Sequence, residues 1–159
     1  MKRHSIVTDL ISRLKTVTPS NGYYSDFSNS VVSWKSDQIP QGTDIYVEVQ
    51  DASAQPGDRF NLPNVAFRLV LNIVVFCAAG DSTAEKIRKA MDDVYRLLIC
   101  SREALITSYG GMKFYLNGDD MEVFEDDVIA GVGIVGFTLE YMELFTPPVP
   151  PPPPPPEEE

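Results

Sequence analysis

An α+β fold, a mostly antiparallel sheet of about four to five strands with two helices packed on one face, is predicted by three observations. Apolar residues recur at helical spacing in two separate stretches, 4–17 and 82–101. Long runs with period-two alternation lie between and after them, from Phe67 to Cys77 and from Phe137 to Met142. The chain has 159 residues, of which 43% are hydrophobic, enough for one domain with a real core over 1–146. Residues 147–159 are a separate tail with nine prolines and three terminal glutamates, read as a polyproline II rod that serves as a spacer or, alternatively, as a ligand for an aromatic-lined groove.

The first helix carries Ile6, Val7, Leu10, Ile11, Leu14 and Val17 on one stripe, with Lys2, Arg3, Arg13 and Lys15 off it. Pro19 and Gly22 end it. Residues 20–44 embed Tyr23, Tyr24, Phe27 and Trp34 in polar sequence, as a packed or partner-contacting arm does. In "IYVEVQ", Ile45, Val47 and Val49 face one way and Tyr46, Glu48 and Gln50 the other. Pro56, Gly57 and Pro63 predict a loop over 51–64. The longest strand follows, with Phe67, Leu69, Leu71, Ile73, Val75 and Cys77 on a core face and Arg68, Val70, Asn72, Val74 and Phe76 on the other.

In the second helix Ile87, Met91, Val94 and Leu98 keep helical spacing, and Ser82 with Glu85 predicts a capping box. Glu85 with Lys89, and Asp92 with Arg96, are i,i+4 pairs in the favourable order. A hairpin is expected next: a strand over Lys113–Leu116, a turn at Asn117 and Gly118, and a return strand over Met121–Phe124. Asp119, Asp120, Glu122, Glu125, Asp126 and Asp127 crowd there without the spacing of a calcium loop, and read as a solvated acidic segment.

The run "GVGIVG", Gly131 to Gly136, matches a dinucleotide-binding fingerprint, but it feeds the strand containing Phe137, Leu139 and Tyr141 and opens no helix. No cofactor is expected; the glycines read as a bulge, a bend or a place of close backbone approach. Two cysteines and a single histidine, His4, provide neither a disulfide framework nor a Cys/His site nor a histidine metal site. A formal charge of −10 disfavours binding to nucleic acid or to anionic membranes, yet suits a surface past which DNA slides. Asp9 and Arg13 interrupt what would be the apolar region of a signal peptide, and no apolar run approaches a membrane span. No enzyme is predicted.

Four stretches together resemble the tail terminator, or tail completion, proteins of long-tailed bacteriophages: "IVTDLISRLKTV", "AFRLVLNIVVFCAA", "STAEKIRKAMDDVYRLL" and "GFTLEYMEL", with Tyr141 near the end of the last. The likeness spans roughly residues 4–145 as a pattern of elements. It implies a virion protein, made in the host cytoplasm, that forms a homo-oligomeric ring, usually of six subunits, at the head-proximal end of the tail tube. Such a ring stops tube polymerisation and meets the head connector; another connector or neck protein is the alternative, and a small hydrolase a more distant one. The family has no catalytic, cofactor or metal residues to carry over and no polyproline tail. The residues here that suit self-association are Val70, Val74 and Phe76, on the strand face away from the helices, and Gly131 and Gly133, where a neighbouring backbone could approach.

Overall fold

The computed structural model describes residues 2–34, 44–61, 64–78, 80, 82–123 and 129–145. The proline tail, residues 35–43 of the aromatic connection, and Glu125, Asp126 and Asp127 lie outside them. In chain order the elements are α1 (Lys2–Leu14), β1 (Val31–Ser33), β2 (Ile45–Asn61), β3 (Asn64–Ala78), α2 (Thr83–Tyr109), β4 (Gly111–Val123) and β5 (Ile129–Leu144). The five strands form one sheet in the order β1-β2-β3-β5-β4. Only β1 runs parallel to its neighbour; every other pair is antiparallel.

Both helices lie on one face, because the apolar stripe of each has only that place to go. Ile6, Val7, Leu10 and Leu14 from α1, and Ile87, Ala90, Val94 and Leu98 from α2, close on Val47, Val49, Leu69, Leu71, Ile73, Val75, Val135, Phe137 and Leu139. Each of these sheet residues is buried from alternate positions of its strand, as period-two side-chain geometry requires. The α+β expectation, with a mostly antiparallel sheet and helices packed on it, is what the structure has.

Local expectations fare differently. The segment expected as a loop over 51–64 is mostly strand: β2 continues to Asn61, paired with β3 as far as Asn64. Pro56 is tolerated there because β1 covers only Val47–Val49, so at Pro56 the outer edge of β2 needs no amide donor. The irregularity survives as register shifts at Asp51/Ser53 and Pro56/Phe60. The expected hairpin at 113–124 is instead a single strand. A type I′ turn at Asn117-Gly118 needs positive φ at both residues, and only Gly118 has it, at 112°. Strand β5 pairs along all of β4 from Gly111 to Val123, so the surplus residue becomes a bulge at the Leu116/Gly118 shift.

Helix α2 starts without the expected capping box. Ser82 sits at φ 71°, in the left-handed region, where the N-cap geometry cannot form, and its side chain makes no cap bond. Thr83 Oγ1 donates to the Gly80 carbonyl at 2.7 Å. The helix also outruns its sequence signal: Leu105 extends the buried stripe, and Gly110, at φ 62°, stops it by donating its amide to the Ile106 carbonyl. Of the i,i+4 pairs, Lys89 and Glu85 meet at 2.6 Å, both exposed.

The aromatic connection is packed onto α2 through one carboxylate. Asp93, wholly buried in the middle of the helix, accepts the amides of Tyr24 at 2.9 Å and Ser25 at 2.7 Å. Arg96 stands 3.8 Å from it, donates to the Gly22 carbonyl at 3.0 Å and lies over the Tyr23 ring. That clamp holds Phe27, itself fully buried, against the core. Asp93→Ala strips the acceptor from both amides and should lower unfolding free energy by about 2–4 kcal/mol. Asp92→Ala, at the exposed neighbouring position, should change it by less than about 0.5 kcal/mol in the same urea titration. Equal losses would show that the carboxylate is not the clamp.

Candidate functional site

The face of the sheet away from the helices is built from the other alternate set of residues. Tyr46, Glu48 and Gln50 of β2 stand beside Phe76, Val74 and Asn72 of β3, which in turn stand beside Val132, Ile134 and Gly136 of β5. The strands deliver these side chains in rows because the ladders run without a break through this part of the sheet. A band of apolar groups crosses the centre, with Val70, Phe76, Val132 and Ile134 half-buried and Val74 only 5% exposed. The Tyr46 ring lies tilted against Phe76, their centroids 5.9 Å apart.

Polar residues frame the band. Arg68 pairs with the directly opposite Glu140 at 2.9 Å. Gln50 donates to Glu48 at 2.9 Å, and Thr138 donates to Asn117 at 3.0 Å. Glu48 is only 5% exposed, an unusual depth for a carboxylate on a face with no helix over it. Tyr46 is 2% exposed, and its hydroxyl is buried with no hydrogen-bond partner among the described residues. Sequence alternation placed Tyr46 and Glu48 on this face but gave no sign of their burial, since alternation tells sides and not depth.

The five residues expected at an interface divide between the two faces. Val70, Val74 and Phe76 are on the helix-free side. Gly131 and Gly133 belong to the other. A Cβ on Gly131 would come 2.3 Å from Ile87 Cδ1, and one on Gly133 would come 2.5 Å from Met91 Sδ and 2.8 Å from Ile87 Cγ2. The close approach that these glycines permit is therefore made by α2 of the same chain, and the expectation of a neighbouring backbone at that point is corrected. The whole "GVGIVG" run lies inside β5.

Elsewhere the reactive side chains are dispersed. Cys77 is buried in the core, where burial pushes its thiol up to about 11, while Cys100 is exposed on α2. Asp119 lies on one face of β4 and Asp120 and Glu122 on the other, and among the described residues no three His, Cys, Asp or Glu side chains gather to hold a metal ion. A cleft of about 410 Å³ opens between the aromatic connection and the start of α2, edged by Tyr24, Asp26, Ser30, Asp44 and Lys86. Within it Lys86 and Asp44 are 3.8 Å apart and Asp26 accepts from Ser28. No described helix is long and apolar enough to cross a membrane. The chain matches no family model, and no curated protein matches it.

The inward placement of Gly133 has a direct consequence. Gly133→Ala should destabilise the protein by about 1–3 kcal/mol through overpacking under α2. Combined with Met91→Ala, which removes the nearest atoms, the loss should be smaller than the sum of the two single losses. Strict additivity in a denaturant double-mutant cycle would contradict the contact.

Proposed function

We propose that the protein is a structural virion component that assembles into a ring on the head-proximal end of a phage tail tube, ends tube polymerisation and meets the head connector. The observation that supports this reading is the sheet face away from both described helices, with its apolar band around Val70, Val74 and Phe76. A protein whose sheet has one face sealed by helices and the other apolar at the centre has a surface suited to association. Repeating one head-to-tail contact about an axis closes a ring. The acidic balance, 23 Asp and Glu against 13 Lys and Arg, fits a ring through which DNA passes without adhering. The resemblance of the four sequence stretches to tail terminator proteins supplies the biological setting, with the tail tube protein and the head connector as partners.

Purified protein should form rings visible by negative-stain microscopy, alone or on tail tubes. Val70→Asp, at a half-buried position, should abolish them while far-UV circular dichroism stays native; Val74→Asp should do the same if the chain tolerates a carboxylate at that depth. A folded Val70→Asp protein that still makes rings and still ends tails at normal length would remove the face from the interface. Phage lacking the protein that still build tails of defined length joined to heads would overturn the function itself.

A further inference from the structure

The two long outer edges of the sheet are not equivalent. Along β2, the edge is covered by β1 at Val47–Val49 and then broken by Pro56 and by register shifts at Asp51/Ser53 and Pro56/Phe60. Those are the devices that keep an edge from pairing with another strand. On the other side β4 has no covering strand and no proline; it carries register shifts at Gly111/Lys113 and Leu116/Gly118 and a single basic residue, Lys113, and the outer side of its thirteen residues pairs with nothing among the described residues. Tyr115, Leu116 and Val123 are 43%, 41% and 44% exposed along it. A long, partly apolar edge that no described strand covers is a template for another strand.

We propose that the strand it takes is β4 of a second copy of this chain, antiparallel across a two-fold axis that passes between Asn117 and Gly118. The register follows from the side chains. With Asn117 opposite Gly118, Lys113 stands opposite Glu122, Phe114 opposite Met121, Tyr115 opposite Asp120 and Leu116 opposite Asp119, each pair occurring twice by symmetry. Every one of these pairs also matches in face: Lys113, Tyr115, Asp120 and Glu122 point away from the helices, while Phe114 and Met121 point toward them. The only cation on β4 thus meets an anion, and an aromatic ring meets a thioether.

Other registers lose this. A slip by one residue sets opposite faces against each other along the whole ladder. A slip by two in one direction puts Lys113 opposite Asp120 but sets Phe114 against Asp119; in the other direction Phe114 and Leu116 meet Val123 and Met121, but Lys113 has no acid opposite it. The bulge at Leu116/Gly118 does not interfere, because both copies carry it at the axis, where Asn117 of each copy lies opposite Gly118 of the other. The resulting dimer continues one five-stranded sheet into its twin. It uses an edge and not the apolar face, so it stands apart from the ring reading, and each fails on its own variants.

The test is a pair of cysteines in the full chain with Cys100→Ser. Directly opposed residues in an antiparallel ladder have Cα atoms about 4.5–5.5 Å apart, within disulfide reach. Within one chain Lys113 and Glu122 lie too far apart along β4 to be bridged. Lys113→Cys with Glu122→Cys should therefore give a covalent dimer on oxidation, and nothing larger, since both bridges are used inside the pair. Neither single cysteine variant should cross-link above background. In sedimentation with native Cys100, Lys113→Glu should weaken dimerisation at least tenfold and addition of Glu122→Lys should restore it. The proposal is overturned by a double cysteine variant that stays monomeric, by covalent ladders beyond the dimer, or by charge reversal that leaves the association constant unchanged.

Discussion

The seating of α2 on β5 is the contact on which the arrangement of the two sheet faces depends. Gly131 and Gly133 lie under Ile87 and Met91 with no room for a methyl group, so the helix sits closer to the sheet than any other residue pair would allow. Helix α2 runs for 27 residues, and it is the element through which β3, β4 and β5 share one core. Once it is seated, the alternation of each strand decides everything else about the faces. Leu69, Leu71 and Ile73 must be inside, and Val70, Asn72 and Val74 must be outside.

A second layer of constraint is electrostatic and fixes the segments that have little apolar surface of their own. Asp93 draws in the amides of Tyr24 and Ser25, and so determines where the chain between α1 and β1 runs. Asp51 does comparable work at the other end of α1. It accepts from Arg3 Nε, and the Trp34 indole nitrogen donates to the same carboxylate, which ties α1, the end of β1 and the first bulge of β2 together. Lys2 reaches across to the carbonyls of Tyr109 and Met142, at 3.0 and 2.7 Å, closing the start of α1 over the ends of α2 and β5. Each of these bonds has a charged partner, and charge-assisted bonds away from open solvent are stronger than their surface counterparts.

Periodicity made the global fold legible. The helical stripes at Ile6, Leu10 and Leu14 and at Ile87, Met91, Val94 and Leu98, and the alternation from Phe67 to Cys77, led directly to the right elements and the right faces. Legibility ended where a local signal competed with a long ladder. Pro56-Gly57 and Asn117-Gly118 are turn signals by local chemistry, yet each is absorbed as a bulge because a continuous partner strand rewards staying extended. Ser82 and Glu85 spell a capping box, but a left-handed backbone at Ser82 makes it unusable. The three-residue β1 had no pattern long enough to show. At the candidate interface, alternation found Val70, Val74 and Phe76. Assigning Gly131 and Gly133 to the same surface failed because a glycine has no side chain to reveal which face it is on; only the position of α2 does that.

In the proposed ring the helix-free face, once apolar residues are sorted by the seat of α2, is the surface by which neighbouring copies meet. Hydroxyl-radical footprinting of the assembled protein against a dilute monomeric sample reads this residue by residue. Protection on assembly should fall on Phe76, Val70, Val132 and Ile134, while Tyr24 and Ile99, which are exposed on the helix side of the molecule, should react equally in both states. Assembled particles in which Phe76 and its neighbours remain as reactive as in the monomer, with protection concentrated on Tyr24 or Ile99, would contradict it.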